Sequence, residues 1–252
     1  MKSIVNGFII AISMYSGIPM PKAERSRQNM KYTPCFFPAV GLVIGALFYA
    51  WSEVCITFGF GQVCFVLVGA VIPVMISRGI HLSGLMDTVD TKHSHEKKQE
   101  DVKDSNVGTF AVIAAICFFL LYGAGLTLIL KENQLLLLGL SFIISRTLNG
   151  MSLVWFPPAK KEGTLYTLSS MAHTKTVRIV LVTILTMCFV SAVLIQPVIG
   201  AVMSLAAMWV WTYYYYMSKK RFGGITDDLA GYFLCLCELS SVLVIGCVGR
   251  IM

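Results

Sequence analysis

The chain has 252 residues, of which 56% are hydrophobic and only 13% are charged. Soluble domains carry about 25% charged residues, so this chain has too few to cover its whole surface in water. The composition therefore excludes an ordinary soluble protein and predicts an all-α polytopic membrane helical bundle with about 7–8 transmembrane helices. We expect one integral membrane domain over residues 1–252, in contact with the lipid bilayer and without a nucleic-acid partner.

The apolar segments give the expected order of the spans, since a membrane-crossing helix needs about 20 mostly apolar residues. In chain order the candidates are 4–20, 37–56, 60–80, 109–130, 135–156, 177–196, 197–216 and 229–250. The first is the weakest, because it is short and ends at Pro19 and Pro21; a re-entrant or interfacial helix is the alternative there. Pro197 separates the sixth segment from the seventh, because proline terminates helices.

Positive charge alternates along this map. Of the 20 Lys and Arg residues, 16 fall in the four segments 21–36, 78–108, 157–178 and 217–228. In the intervening loops Lys131 is the only basic residue. Because loops rich in Lys and Arg stay on the cytoplasmic side, we expect all four segments at the cytoplasmic face of a multi-pass protein of the cell membrane.

One short motif predicts a helix contact. In "GLVIG" the residues Gly41 and Gly45 are spaced by four inside an apolar segment. Small residues at this spacing allow two membrane helices to approach closely. We therefore expect this face of the second span to pack against another helix.

The stretch "HLSGLMDTVDT", residues 81–91, brings acidic residues next to an apolar segment. If it continues the helix that ends near Ile80, then Ser83, Asp87 and Asp90 fall on one face. Two carboxylates at this spacing can share a hard cation such as Mg²⁺, which also retains water and substrate phosphate oxygens as ligands. The residues between the aspartates are apolar, so we expect this face to pack against other helices, with a solvated loop as the alternative. Acidic residues packed at a membrane boundary indicate function.

A second polar stretch, "EDVKDSNVGTFAV", precedes the next predicted span, which starts just after Gly108. A helix amino terminus presents free N–H groups and the positive end of the helix dipole, and both favour a phosphate. Asp104 is a candidate to join the metal, and Lys103 is a candidate to face a diphosphate. Ordinary helix capping by Ser105 or Asn106 is the alternative.

Two charged residues lie inside apolar segments. Arg146 needs an anion, either a carboxylate or a substrate phosphate, and a structural ion pair is the alternative. Glu238 lies about three turns into the last span, whose start carries Asp228 as a metal ligand or a helix cap. Together these residues favour metal-dependent transfer of a phosphate-linked group at one face of the membrane.

Two other functions are compatible with these residues. In a membrane transporter, Arg146 and Glu238 would be intramembrane pathway residues. Another Mg²⁺-dependent membrane enzyme, a CDP-alcohol-type phospholipid transferase, would use similar Asp–metal chemistry. Its DGxxAR-type pattern is absent from this sequence.

Four stretches resemble the successive motifs of a known family. They are "GIHLSGLMDTVDT", "KDSNVGTFAVIA", "FPPAKKEGTL" and "GGITDDLAGYFLCLCELS". The sequence is similar, in this order and over most of the chain, to the cobalamin synthases, the adenosylcobinamide-GDP ribazoletransferases. The resemblance implies an integral membrane transferase of substituted phosphate groups that requires Mg²⁺. Its substrates would be adenosylcobinamide-GDP and α-ribazole or α-ribazole 5′-phosphate, and its products adenosylcobalamin, or its phosphate, and GMP.

The residue pattern and the resemblance together predict the following roles. Catalytic roles fall to Asp87, Asp90 and His81, metal binding to Asp87, Asp90, Asp104 and Asp228, and substrate binding to Lys103, Gly108, Arg146, Lys160 and Glu238. The sequence departs from the family pattern at four places, where the family has Asp at Ser83, Gly at Thr91, Arg-Pro at Lys160-Lys161 and Gly at Asp227. Lys in place of Arg keeps the charge but loses the two-pronged hydrogen bonding of a guanidinium.

Overall fold

The structure is a computed structural model that describes residues 2–94, 108–129 and 131–252, without the side chains of residues 93 and 94. Within these ranges the chain forms α1 Lys2–Tyr15, α2 Arg27–Met30, α3 Phe37–Phe58, α4 Gln62–Ile76, α5 Ile80–Ser94, α6 Thr109–Thr127, α7 Glu132–Trp155, α8 Thr164–Met171, α9 Thr174–Ile195, α10 Pro197–Met217 and α11 Asp227–Ile251. A 3₁₀ turn, Thr33–Phe36, leads into α3, and a π-helical turn, Ser218–Phe222, follows α10. An isolated bridge joins Pro158 to Ile225.

The helices make a polytopic membrane bundle, as predicted. In the described part of the chain, six helices are long and apolar enough to cross a membrane, namely α3, α6, α7, α9, α10 and α11, and a seventh span results if α4 and α5 count as one broken span. The first predicted span is the short helix α1, which has 14 residues. At 1.5 Å per residue it is about 21 Å long, less than the hydrocarbon core of about 30 Å.

The helix that carries the acidic residues is not a continuation of the preceding span, so that prediction was wrong. α4 ends at Ile76, and α5 begins at Ile80 at an angle of 88° to it. Arg78 and Gly79 between them have φ values of 53° and 72°, in the left-handed region that ends a helix. The N–H of Gly79 donates to the Val74 carbonyl, which completes the helix end. Because of this bend, α5 runs almost perpendicular to α4.

The described residues of the four basic segments lie at one end of the bundle, as the charge pattern predicts. The N–H of His173 donates to the carbonyl of Lys31 over 2.9 Å, which joins the first segment to the third. The N–H of Ala159 donates to the carbonyl of Ile225 over 3.0 Å, which joins the third to the fourth. Gly84, in the second segment, contacts the start of α11, which belongs to the fourth segment. The second segment therefore lies at the same end.

The central helix of the bundle is α7, which packs closely on α3. A side chain at Gly41 would collide with the carbonyl of Phe142 in α7. One turn further along, a Cβ at Gly45 would lie 3.0 Å from the backbone of Gly139. The helix contact predicted from "GLVIG" is therefore confirmed, because only glycine allows the two backbones to come this close.

Candidate functional site

Helices α5 and α11 cross in backbone contact at the basic end of the bundle. A Cβ at Gly84 would lie 2.5 Å from the carbonyl oxygen of Asp228, and one at Gly231 would lie 3.0 Å from the carbonyl oxygen of His81. Glycine at both positions lets the two helices touch. The crossing therefore brings the first turns of α5 to the first turn of α11, where Asp228 lies.

Three of the predicted acidic residues meet at this crossing. The charges of Asp228 and Asp90 both act on the carboxylate of Asp87. Asp87 and Asp228 are exposed, and Asp90 is partly buried. The expected packing of this stretch holds only in part: α5 buries His81, Leu85 and Thr88, and Asp90 is partly buried, whereas Asp87 is exposed. Helical periodicity separates Asp87 from these buried positions, so its carboxylate faces outward.

The carboxylate of Asp90 lies against Gly108, the residue that precedes α6. A Cβ at Gly108 would overlap the carboxylate oxygens of Asp90, so glycine is required for this approach. The amino terminus of α6, which we predicted as a phosphate position, therefore has a carboxylate beside it. Lys103 and Asp104, the other predicted residues of this stretch, lie outside the described residues, so their roles stay predictions.

An open cavity of about 430 Å³ lies beside the acidic crossing. It is lined by the loop between α7 and α8 and by the start of α11, including Lys160, Glu162, Tyr166, Asp227 and Asp228. Asp228, a predicted metal ligand, and Lys160, a predicted substrate-binding residue, thus share one cavity. The positive charge of Lys160 could bind an anionic group that lies next to the carboxylates.

Asp227 hydrogen-bonds to the backbone of another helix. Its Oδ1 accepts from the N–H of Leu165 over 3.1 Å. Tyr15 in α1 is nearby, where burial raises the pKa of its hydroxyl and the charge of Asp227 raises it further. The sequence did not indicate Tyr15, since nothing in the spacing connects α1 with the start of α11.

Arg146 and Glu238 form an ion pair with each other inside the bundle. The Arg146 guanidinium donates to Glu238 Oε1, and both side chains are about 95% buried or more. This matches the structural alternative for Arg146. His81 is also buried, and it lines a small cavity with Glu238 and Tyr122 rather than the exposed acidic face. Substrate binding by the ion pair and catalysis by His81 stay predictions.

Sequence reasoning missed a cation next to the acidic crossing. The Nζ of Lys92, two residues after Asp90, donates to the hydroxyl of Tyr232 over 3.0 Å and lies 4.1 Å from the centre of that ring. Tyr232 follows Asp228 by one helical turn in α11. Lys92 is therefore held by an aromatic side chain at the edge of the site. The sequence shows that Lys92 is close to Asp90, but it does not show the contact with Tyr232.

The model of the cobalamin-5-phosphate synthase family, CobS, matches residues 7–246. The chain belongs to this family. A relative from Lachnoclostridium phytofermentans, named adenosylcobinamide-GDP ribazoletransferase, is 35% identical over 244 residues, which are 96% of this chain and 93% of the relative. A relative of the same name from Clostridium perfringens is 29% identical over 269 residues, covering 98% of this chain and 99% of the relative. No solved structure matches. The family assignment from the motifs is thus confirmed.

Ser83 is one of the positions at which the sequence departs from the motif of the CobS family. It lies on the exposed face of α5. Its Oγ donates to the carbonyl of Ile80 over 3.0 Å, and the residue precedes Asp87 by one turn. Asp227, the extra acid of this chain, binds the backbone of α8 through Oδ1. The additional carboxylate at 227 therefore has a partner of its own.

The residues at the crossing fit a magnesium ion. Among the described residues, no group of three or more His, Cys, Asp and Glu side chains is arranged to hold a metal. Mg²⁺ does not need such a group, because it usually binds one or two carboxylates and completes its shell with water and substrate phosphate oxygens. Asp87 and Asp228 are two exposed carboxylates whose charges interact, which suits this kind of site.

Proposed function

We propose that the chain is an adenosylcobinamide-GDP ribazoletransferase, which joins α-ribazole or its 5′-phosphate to adenosylcobinamide-GDP and releases GMP. The names of the relatives support this activity. The observation that carries the proposal is the exposed pair Asp87 and Asp228, next to a cavity that also contains Lys160. Exposed carboxylates beside an open cavity that contains a cation are the side chains that a metal-bound diphosphate requires.

In the proposed reaction, a ribose hydroxyl of α-ribazole attacks the phosphorus that is attached to cobinamide. A new phosphorus–oxygen bond forms, the bond to the GMP oxygen breaks, and GMP leaves with the bonding electron pair while the hydroxyl proton is released. Phosphoryl transfer of this kind depends mainly on positioning and on charge stabilisation. The chain therefore has to hold the diphosphate and the hydroxyl in line and to neutralise charge.

The charges at the crossing explain why we also propose Mg²⁺ as the cofactor. Asp87 and Asp228 alone would repel a diphosphate, since like charges at short range raise the energy of both. Bound Mg²⁺ would supply the positive charge that neutralises the diphosphate and the departing oxygen. Asp87 and Asp228 would hold the ion, and Lys160, which lines the same cavity as Asp228, would bind a remaining phosphate oxygen.

We further propose that this site faces the cytoplasm from the cell membrane. The acidic crossing and the cavity lie at the end of the bundle that carries the four basic segments. Loops rich in Lys and Arg stay on the cytoplasmic side. Substrates made in the cytoplasm would then reach the cavity without crossing the bilayer.

The test is GMP release by the purified protein in liposomes with Mg²⁺, adenosylcobinamide-GDP and α-ribazole 5′-phosphate. We expect Asp87→Asn and Asp228→Asn each to lower kcat/KM by about 100-fold or more, the usual cost of losing an electrostatic stabiliser of the transition state. Glu53→Gln is the matched control, since Glu53 is an exposed acid in the second half of α3, away from the basic end. No GMP from the folded wild-type protein would overturn the activity, and wild-type rates in both Asp variants would overturn the role of the site.

A further inference from the structure

The loop that carries Lys160 is attached to the segment before α11. The N–H of Ile225 donates to the carbonyl of Pro157 over 2.9 Å, and the N–H of Ala159 donates back to the carbonyl of Ile225 over 3.0 Å. Gly224 packs directly on this loop, since a Cβ there would lie 2.5 Å from the Ala159 nitrogen. The first residues of the loop are therefore fixed to the chain that leads into the acidic crossing.

Asp227 fixes the other end of the same loop. Its Oδ1 accepts from the N–H of Leu165 in the first turn of α8. A carboxylate at this place caps a helix, because the first N–H groups of a helix have no partner within it. Gly163 precedes this turn with φ 92°, and a Cβ there would lie 3.2 Å from Asp227 Oδ2. The amino terminus of α8 is thus capped by the Asp227 side chain of α11 and not by the residue that precedes α8.

Lys160 lies between these two attachments. It is exposed, it has no ion-pair partner within 4 Å in the described part of the chain, and it lines the cavity that also contains Asp228. A lysine binds phosphate as a point charge on a flexible stem, so its contribution depends on where its backbone is held. Fixing the backbone lowers the entropy that is lost when a ligand binds.

We propose that Asp227 is a positioning residue, which holds the loop of residues 157–163 and thereby presents Lys160 to the anionic group of the substrate. Asp227 then does not replace the acid that the family has at Ser83. The part of this inference that concerns substrate rests on the proposed function. The part that concerns the loop rests on the hydrogen bond to α8 alone.

The amide and the alanine variants separate positioning from metal binding. Asp227→Asn keeps an oxygen that accepts from the N–H of Leu165, so we expect the loop to stay in place. Asp227→Ala removes the cap. If Asp227 instead bound Mg²⁺, the neutral Asn variant would lose activity like Asp228→Asn. Gly163→Ala is a second variant that strains the same cap, because alanine disfavours a positive φ and its Cβ approaches Asp227.

Limited trypsin digestion of the full-length protein in detergent tests the loop without any substrate. We expect cleavage after Lys160 and Lys161 to become about tenfold faster in Asp227→Ala, as expected for the loss of a helix cap. Cleavage after Lys219 and Lys220, which are also exposed, is the internal control and stays unchanged. Unchanged cleavage at 160–161 in both Asp227→Ala and Gly163→Ala would overturn the attachment.

Steady-state kinetics test the consequence for substrate. We expect Asp227→Ala to raise the KM for adenosylcobinamide-GDP about tenfold, with a smaller change in kcat and an unchanged Mg²⁺ requirement, and Asp227→Asn to restore the KM. An Asn variant as impaired as the Ala variant would overturn positioning. If neither the wild-type protein nor any variant releases GMP but trypsin cleaves the Ala variant faster, the attachment stands and the proposed function fails.

Discussion

The crossing of α5 and α11 makes Gly84→Ala an informative substitution. The new Cβ would lie 2.5 Å from the carbonyl oxygen of Asp228 and 3.1 Å from the Cα of Gly231. Both atoms belong to the backbone of α11, so no side chain can rotate away to make room. We therefore expect the two helices to move apart where Asp87 and Asp228 meet.

The size of the effect follows from this distance. Real Cβ contacts shorter than 3.0 Å essentially do not occur, so α5 and α11 must separate by at least about 0.5 Å. Overpacking of this kind costs about 1–3 kcal/mol, against a gain of about 1 kcal/mol from replacing Gly by Ala in a helix. A misplacement of about 1 Å at a catalytic centre can lower the rate by about 100-fold. We expect a modest loss of stability and a loss of activity of about 10- to 100-fold.

The assay compares thermal unfolding in detergent with GMP release in liposomes for Gly84→Ala and for Gly123→Ala. Gly123 in α6 is the matched control, because its Cβ would meet only Val66 Cγ1, at an ordinary distance of 3.4 Å. We expect the control to keep its activity and its stability. Wild-type activity in a Gly84→Ala protein of wild-type stability would refute the argument that this crossing sets the distance between the two carboxylates.

Two further substitutions test buried contacts, both by unfolding in detergent. Glu238→Gln is expected to destabilise the protein by about 3–5 kcal/mol, because it leaves Arg146 buried without its anion, whereas replacing both residues by Leu restores most of the stability. Loss of substrate affinity in a stable double variant would support substrate binding by the pair, and retained affinity would make it structural. Gly108→Ala is expected to cost about 1–3 kcal/mol, since its Cβ overlaps the Asp90 carboxylate. Adding Asp90→Ala is expected to remove that cost, and equal stability of Gly108→Ala and wild type would contradict the contact.

Periodicity and charge along the chain were enough to predict much of the fold. The apolar segments correspond to the membrane helices, because a run of about 20 apolar residues has few other stable arrangements. The basic segments lie at one end, since each span reverses the direction of the chain. "GLVIG" marked a contact between α3 and α7 because small residues at this spacing have one main use in a membrane helix. Signals of this kind are local and need no knowledge of the neighbouring helix.

The features that the sequence did not predict depend on partners far away in the chain. The 88° bend before α5 requires Arg78 at a positive φ, which non-glycine residues seldom adopt and which no local pattern indicates. The carboxylate of Asp227 binds α8, and Lys92 binds Tyr232, across 62 and 140 residues of sequence. One sequence without an alignment gives the residue types at such positions, but it does not give their partners.

Ser83→Asp tests whether the exposed face of α5 completes the metal site. Ser83 precedes Asp87 by one turn on that face, where the family resemblance implies an acid, and a third carboxylate there would add charge near the proposed Mg²⁺ ion. We expect the Mg²⁺ concentration for half-maximal GMP release to fall severalfold. Ser170→Asp is the matched control, since both serines are exposed and each Oγ donates to the carbonyl three residues earlier over 3.0 Å. An unchanged Mg²⁺ requirement in Ser83→Asp, with activity retained, would refute this prediction, because position 83 then does not face the metal.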